Sequence, residues 1–312
     1  MKRQILGIII IIGWGMMACG NTHREQEKES PVVMQEKKKR SFQLPEVPVM
    51  LNTPELRAVY VAQHYWDHFD FRDTAYIHLP EITEQAAVNF MDLLQMLPEG
   101  EASEALSILV GKAAVEPVMM NYFWETLSKY WYNPNSPMKN EGMFILWCRA
   151  VERTSQVGTF LKERAAYQRV LAEKNRVGMQ AADIVYTLAS GKQGRLYGLK
   201  APYILVFFYN PDCHTCADVK QAMQRSLLLK DMVSSGRMKV LTVYPDEDVA
   251  LWRRHLGEMS EEWINGYDKG QILTHETLYD LSSIPSFYLL DKDKKVLLKD
   301  ADWRQVMQFF EK

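Results

Sequence analysis

The run Phe207-Phe208-Tyr209-Asn210-Pro211-Asp212-Cys213-His214-Thr215-Cys216 restricts the fold of this chain more than any other stretch. Apolar residues from Tyr203 read as a strand, and a Cys-x-x-Cys follows at once where a helix begins. In that arrangement the first thiol stands at a helix N-terminus. Free backbone N–H groups and the helix dipole there favour thiolate over thiol. The second cysteine lies one turn later, within reach for a disulfide. The pattern therefore points to a redox couple with Cys213 as the reactive thiol and Cys216 as its partner.

Two other uses of the spacing fit less well. A structural zinc needs four ligands, usually a second cysteine pair or nearby histidines. The remaining cysteines of the four, Cys19 and Cys148, are far apart in sequence. Haem attachment needs a histidine directly after the second cysteine, and Ala217 stands there. No metal and no cofactor is expected.

Downstream, Ala217–Lys230 reads as a helix and Met238–Tyr244 as a strand, which completes a βαβ unit. A polar, Trp-containing stretch leads to Ile284-Pro285, a candidate cis-proline at the mouth of a strand. Ser286–Leu290 and Val296–Leu298 flank a charged turn and read as a hairpin. Trp303–Phe310 reads as an amphipathic helix.

This order resembles the thioredoxin fold, over about residues 176–312. Ahead of it, Ala182–Leu188 and Arg195–Gly198, joined by the turn Ser190–Gly194, resemble the added hairpin of membrane-tethered thioredoxin-like proteins of bacterial envelopes. The resemblance implies that Cys213 attacks and Cys216 resolves. It also implies that the Ile284-Pro285 backbone pairs with a substrate peptide, by β-augmentation.

The chain departs from that family in three places. Phe207 stands where cytosolic thioredoxins carry a buried carboxylate, and Asp212 where they carry a tryptophan. Val219 occupies the position of a glutamate common in envelope reductases, and Asp218 is displaced by about 100° around the helix. His214 and Thr215, between the cysteines, are expected to tune the couple. A protonated imidazole favours the thiolate, whereas Asp212 opposes it and also reads as the helix N-cap. These opposed neighbours leave the direction of electron flow open.

Met1-Lys2-Arg3, then the apolar Ile5–Ile12 and a stretch to Ala18, read as a secretory signal peptide over residues 1–18. Met16-Met17-Ala18-Cys19-Gly20 resembles a bacterial lipobox, which implies cleavage before Cys19 and lipidation of that thiol. Removing residues 1–18 takes away Lys2 and Arg3 and no acid, so the formal charge goes from −2 to −4. That balance gives no sign of nucleic-acid binding. Residues 19–44 are rich in Glu, Lys and Gln and read as a flexible tether with a reach of ~28 Å. The expected location is the cell envelope, at the outer membrane facing the periplasm.

Residues 45–175 show only helical periodicity, so an all-helical domain is expected ahead of the thioredoxin-like domain at 176–312, itself a central mixed sheet flanked by helices. Helices are expected over Leu56–Trp66, Ala87–Leu97, Met119–Trp131, Met143–Val151 and Thr159–Glu173. His64-Tyr65-Trp66-Asp67-His68-Phe69-Asp70-Phe71 and Tyr132-Asn133-Pro134-Asn135-Ser136-Pro137 resemble an uncharacterised helical domain that precedes thioredoxin-like domains in some Gram-negative envelope lipoproteins. His64 and His68 read as surface histidines, Cys148 as a buried free thiol.

Together these features lead to the expectation of a membrane-anchored thiol–disulfide oxidoreductase. Its expected partners are envelope protein thiols and disulfides, with a separate electron donor or acceptor. A partner-binding or scaffold lipoprotein with a non-catalytic disulfide is the alternative.

Overall fold

Capping residues and buried small or aromatic side chains shape the N-terminal half. The computed structural model describes residues 40–311; the signal peptide expected over residues 1–18 and the expected lipidation site Cys19 lie outside them. Helix α1, Pro54–His64, starts where Thr53 accepts from the Leu56 N–H and Pro54 occupies the first turn. There follow α2 (Thr83–Leu94), α3 (Glu99–Ala113), α4 (Pro117–Trp131), α5 (Glu141–Arg153) and α6 (Thr159–Glu173). The core is centred on Trp66, whose indole meets Phe123 edge-on at 5.0 Å and Phe90 at 5.6 Å. Trp124 and Trp147 stack across α4 and α5. Burying each such ring contributes about 1.5–3 kcal/mol.

Packing begins earlier than the expected domain start at residue 45. Phe42 lies against Tyr65 at 4.9 Å and Arg40 pairs with Asp73, so residues 40–44 belong to the body rather than to the tether. An aromatic ring beside an aromatic cluster buries area that a solvated tether would leave exposed. Helix α1 ends at His64, which leaves His68 outside it. The His64 imidazole lies 2.7 Å from Asp67, and Lys112 meets that same carboxylate at 3.0 Å. Cys148 is a fully buried free thiol, held protonated by that burial.

The C-terminal half is a seven-stranded mixed sheet. In chain order come β1 (Val185–Leu188), β2 (Gln193–Arg195), β3 (Tyr203–Phe208), α7 (His214–Arg225), α8 (Leu227–Ser234), β4 (Met238–Tyr244) and α9 (Val249–His255). Then follow β5 (Ile264–Tyr267), α10 (Ile272–His275), β6 (Ser286–Asp291), β7 (Val296–Ala301) and α11 (Trp303–Phe310). The spatial order is β2-β1-β5-β4-β3-β6-β7. Strands β3, β4 and β5 run parallel, and the outer strands are antiparallel to their inner neighbours.

Strand β3 is apolar on both faces because both are covered. Leu205 and Phe207 face a cluster with Met223, Met232, Trp252 and Val306, while Ile204, Val206 and Phe208 face one with Tyr279, Tyr288 and Leu273.

Local geometry differs from expectation at two points here. The helix expected over Ala217–Lys230 is two helices, because the Ser226 hydroxyl accepts from the Leu229 N–H and starts α8 afresh. In the N-terminal hairpin the second strand is Gln193–Arg195, and Leu196–Gly198 forms a 3-10 turn.

Polar contacts fasten the halves together. The Lys299 ammonium on β7, 4% exposed, donates to the carbonyls of Ala172 (2.9 Å) and Lys174 (2.7 Å) at the end of α6. It also meets the Glu141 carboxylate. Lys174 in turn reaches the Thr277 carbonyl at 2.6 Å, and the Tyr132 hydroxyl donates to Asp280. Among the described residues, no helix is long and apolar enough to cross a membrane.

Candidate functional site

The register of β3 with β6 brings the two motifs together. Phe208 pairs with Ser286, so the residues just before β6 lie beside those just after β3. Those residues are Ile284-Pro285, joined by a cis peptide bond, and the loop entering α7. The result places Cys213 and Ile284 side by side at the C-terminal end of a central strand, where α/β sheets present their chemistry.

Cys213 itself caps α7, and its Sγ accepts from the Cys216 N–H at 3.3 Å. This corrects the assignment of the cap to Asp212. The Asp212 N–H is tied to the Asn210 side-chain oxygen at 2.9 Å, and its own carboxylate is exposed. A sulfur that accepts a helix N-terminal N–H has its negative form stabilised by hydrogen bond and dipole together. On its other side the Cys213 thiol donates to the Ile284 carbonyl at 3.9 Å.

Cys216 differs sharply. It is 2% exposed, and burial, helped by the Cys213 thiol, pushes its pKa up to about 12. The pair therefore consists of one half-buried sulfur facing the cis-proline loop and one protonated sulfur behind it. In the reduced protein at pH 7.5, iodoacetamide should label Cys213 and leave Cys148 and Cys216 unmodified. Peptide mass spectrometry of the alkylated chain reads this, and equal labelling of Cys216 would contradict the burial.

The other expected tuning residues fall in different places. His214 is 94% exposed, and its Nε2 lies 3.7 Å from Asp218, so its charge when protonated is met by that carboxylate. Thr215 is exposed, and with Val219, Ile284 and Pro285 it lines a cavity of about 260 Å³. Phe207 is fully buried and stacks on Phe287 at 4.7 Å and on Tyr209 at 5.4 Å. Its position thus supplies an aromatic face and no proton acceptor. Among the described residues, no group of three or more His, Cys, Asp or Glu is placed to hold a metal ion.

Part of this site escaped the sequence analysis. Pro134 and Asn135, from the helical half, wall the same cavity, as do Asp280, Asp300 and Trp303. The available signal was the Asn-Pro-Asn-Ser-Pro break after α4, a loop type that often carries function.

Comparison with known proteins follows the two halves. Residues 18–175 match the family described as a domain of unknown function, DUF5106. A thioredoxin-like protein from Bacteroides caccae is similar to the chain at 41% identity, covering 87% of this chain and 98% of its own, with a TM-score of 0.72. The C-terminal domain of an uncharacterized protein from Bacteroides fragilis is 43% identical, covering 44% of this chain and 99% of its own, with a TM-score of 0.43. A search of curated proteins returns no match.

Proposed function

The chain belongs to the DUF5106 family and carries a thioredoxin-like domain after its helical half, and we propose that it is a thiol–disulfide oxidoreductase acting on protein substrates. One observation carries the reading. The Cys213 sulfur, half-buried at a helix N-terminus, faces Ile284 beside the cis bond, with the Cys216 thiol buried behind it.

The reaction is an exchange. Cys213 thiolate attacks one sulfur of a substrate disulfide, that bond breaks, and the other substrate sulfur leaves as a thiolate and takes up a proton. Cys216 then loses its proton and attacks the Cys213 sulfur of the mixed disulfide. The second substrate thiol is released and the pair is oxidised, two electrons having passed to the substrate. Run backwards, the same steps oxidise a substrate dithiol. The Ile284 backbone supports the substrate strand, giving affinity with little demand on sequence.

We place the enzyme at the cell envelope on a lipid at Cys19, at the outer membrane facing the periplasm. The lipobox-like Met16–Gly20 supports the lipid anchor. A reductant in an oxidising compartment needs an electron donor, which is a separate partner.

Trapping tests the reading. In Cys216→Ala the mixed disulfide has no resolving thiol, so envelope proteins should accumulate covalently on Cys213 and be released by dithiothreitol. An empty trap would favour the scaffold reading, in which a disulfide only stabilises.

A further inference from the structure

Asn210, two residues past the end of β3, uses its polar groups in several directions at once. Its side-chain oxygen accepts from the Asp212 N–H at 2.9 Å, and its carbonyl accepts from the Cys213 N–H at 3.1 Å. Its amide nitrogen donates to the Asp246 carboxylate at 2.7 Å, on the loop between β4 and α9. Burial raises the Cys216 pKa, and the Asn210 backbone opposes that rise. One residue therefore bears on both sulfurs of the couple.

Strands β3 and β4 are parallel neighbours, with Phe208 opposite Val243, so the loops at their C-terminal ends lie side by side. The chemistry of the Asp246 contact fixes the amide. A carboxylate accepts and a backbone N–H donates, so with the nitrogen on Asp246 the oxygen must lie towards Asp212. Turned over, the amide would set oxygen against carboxylate and N–H against N–H. Asp246 thereby selects the orientation in which Asn210 closes an Asx turn around Pro211. That turn starts α7 at His214, with Cys213 as the cap and its Sγ 3.3 Å from the Cys216 nitrogen.

We propose that Asn210 and Asp246 are a positioning pair, in which Asp246 orients the Asn210 amide and Asn210 sets the helix start that stabilises the Cys213 thiolate. The pair acts through the turn and the cap rather than on the substrate. This rests on the exchange reaction above and adds two residues to what prepares its nucleophile.

Several charges surround Cys213. On its own element they are Asp212 and the exposed His214 with Asp218, and the Cys216 thiol stands behind. The β4 loop brings Asp246, followed by Glu247 and Asp248, and the β6 side meets the sulfur with the Ile284 carbonyl. Asp246 thus has two effects of opposite sign. Its negative charge disfavours a thiolate nearby, whereas its hold on Asn210 favours one.

The test is the pH–rate profile of iodoacetamide alkylation at Cys213 in the reduced full chain, read by peptide mass spectrometry. The rate follows the thiolate and then levels off, so the midpoint reads thiolate stability and the plateau reads access. Asn210→Ala should move the midpoint up by about one unit, a tenfold loss of thiolate at pH values below it. Asn210→Ser, whose hydroxyl can accept the Asp212 N–H, should recover part of that shift. Asp246→Asn and Asp246→Ala both remove the charge, but only the first keeps an oxygen for the Asn210 amide. The midpoint should therefore lie higher in Asp246→Ala than in Asp246→Asn.

An unmoved midpoint in Asn210→Ala, even with a changed plateau, would overturn the proposal. Coincident midpoints in the two Asp246 variants would overturn it as well, since Asp246 would then act by charge alone. The profile does not depend on turnover. Shifted midpoints together with an empty Cys216→Ala trap would sink the exchange reading and leave the positioning pair standing.

Discussion

Serine in place of Cys213 is expected to reduce disulfide exchange to about a hundredth or less of the wild-type rate, although a cysteine remains three residues away. The remaining thiol is the buried one, and in the intact protein burial is the larger cause that pushes its pKa up to about 12, the Cys213 sulfur the smaller. Burial persists in the variant, so the Cys216 thiol stays far less ionised at pH 7 than the roughly 3% of an ordinary cysteine. The higher nucleophilicity of the rarer thiolate returns only part of that loss, and the shielding of the sulfur adds to it. The residual rate should also rise about tenfold per pH unit from 7 to 9, because the thiolate fraction grows that way well below the pKa. Insulin reduction followed by turbidity measures both effects. A Cys213→Ser protein within threefold of wild type would remove Cys213 from the nucleophile role. The Cys216→Ser protein should differ in kind, with a normal first release of thiol and no turnover after it.

Local signals account for what could be read from sequence. Helix α11 was legible to the residue because Asp302 and Gln305 form a capping box and the apolar positions follow at helical spacing. Strand β3, the Cys-x-x-Cys and the β6–β7 hairpin are likewise specified by neighbours in sequence. Helix α3 was not, since half of its buried face is Ala102, Ala105 and Ala113, which give little hydrophobic contrast beside Leu106, Leu109 and Val110. Strand β5 was missed for another reason. Ile264-Asn265-Gly266-Tyr267 is short and contains glycine, and it is a strand only because β4 and β1 pair with it from either side.

The same distinction divides the site. Cys213 and Ile284-Pro285 announce themselves by residue type, even though they meet through a β3–β6 register that no local pattern states. Asp280 does not, because its significance depends on Tyr132, 148 residues away, across the contact between the halves. The cap moved from Asp212 to Cys213 because the Asn210 side chain takes the Asp212 N–H and turns the chain one residue later. A sulfur cap is rare enough that residue preference pointed to the carboxylate.

Methionine in place of Lys299 is expected to produce the largest loss of stability, about 3 kcal/mol or more, because it breaks a buried charge pair from one side. The change leaves the Glu141 carboxylate without its ammonium and the α6 carbonyls of Ala172 and Lys174 without their donor. For a chain of this size the thermal midpoint should fall by roughly 10 °C. Burial already raises the Glu141 pKa above its usual 4.5, and Lys299 opposes that rise. Without Lys299 the folded-state pKa goes higher still. A carboxyl raised in the folded state contributes stability that is full below its unfolded value and is lost as pH rises through the folded one. The deficit of Lys299→Met against wild type should therefore be smaller at pH 4.5 than at pH 7.5, and Glu141→Gln in the same background should recover part of it. Denaturant melts at the two pH values measure this, and a deficit independent of pH would show that Glu141 is not the group left stranded. Since Lys299 holds the end of α6 against the sheet and does not touch the cysteine pair, the folded variant should keep its rate on small disulfides.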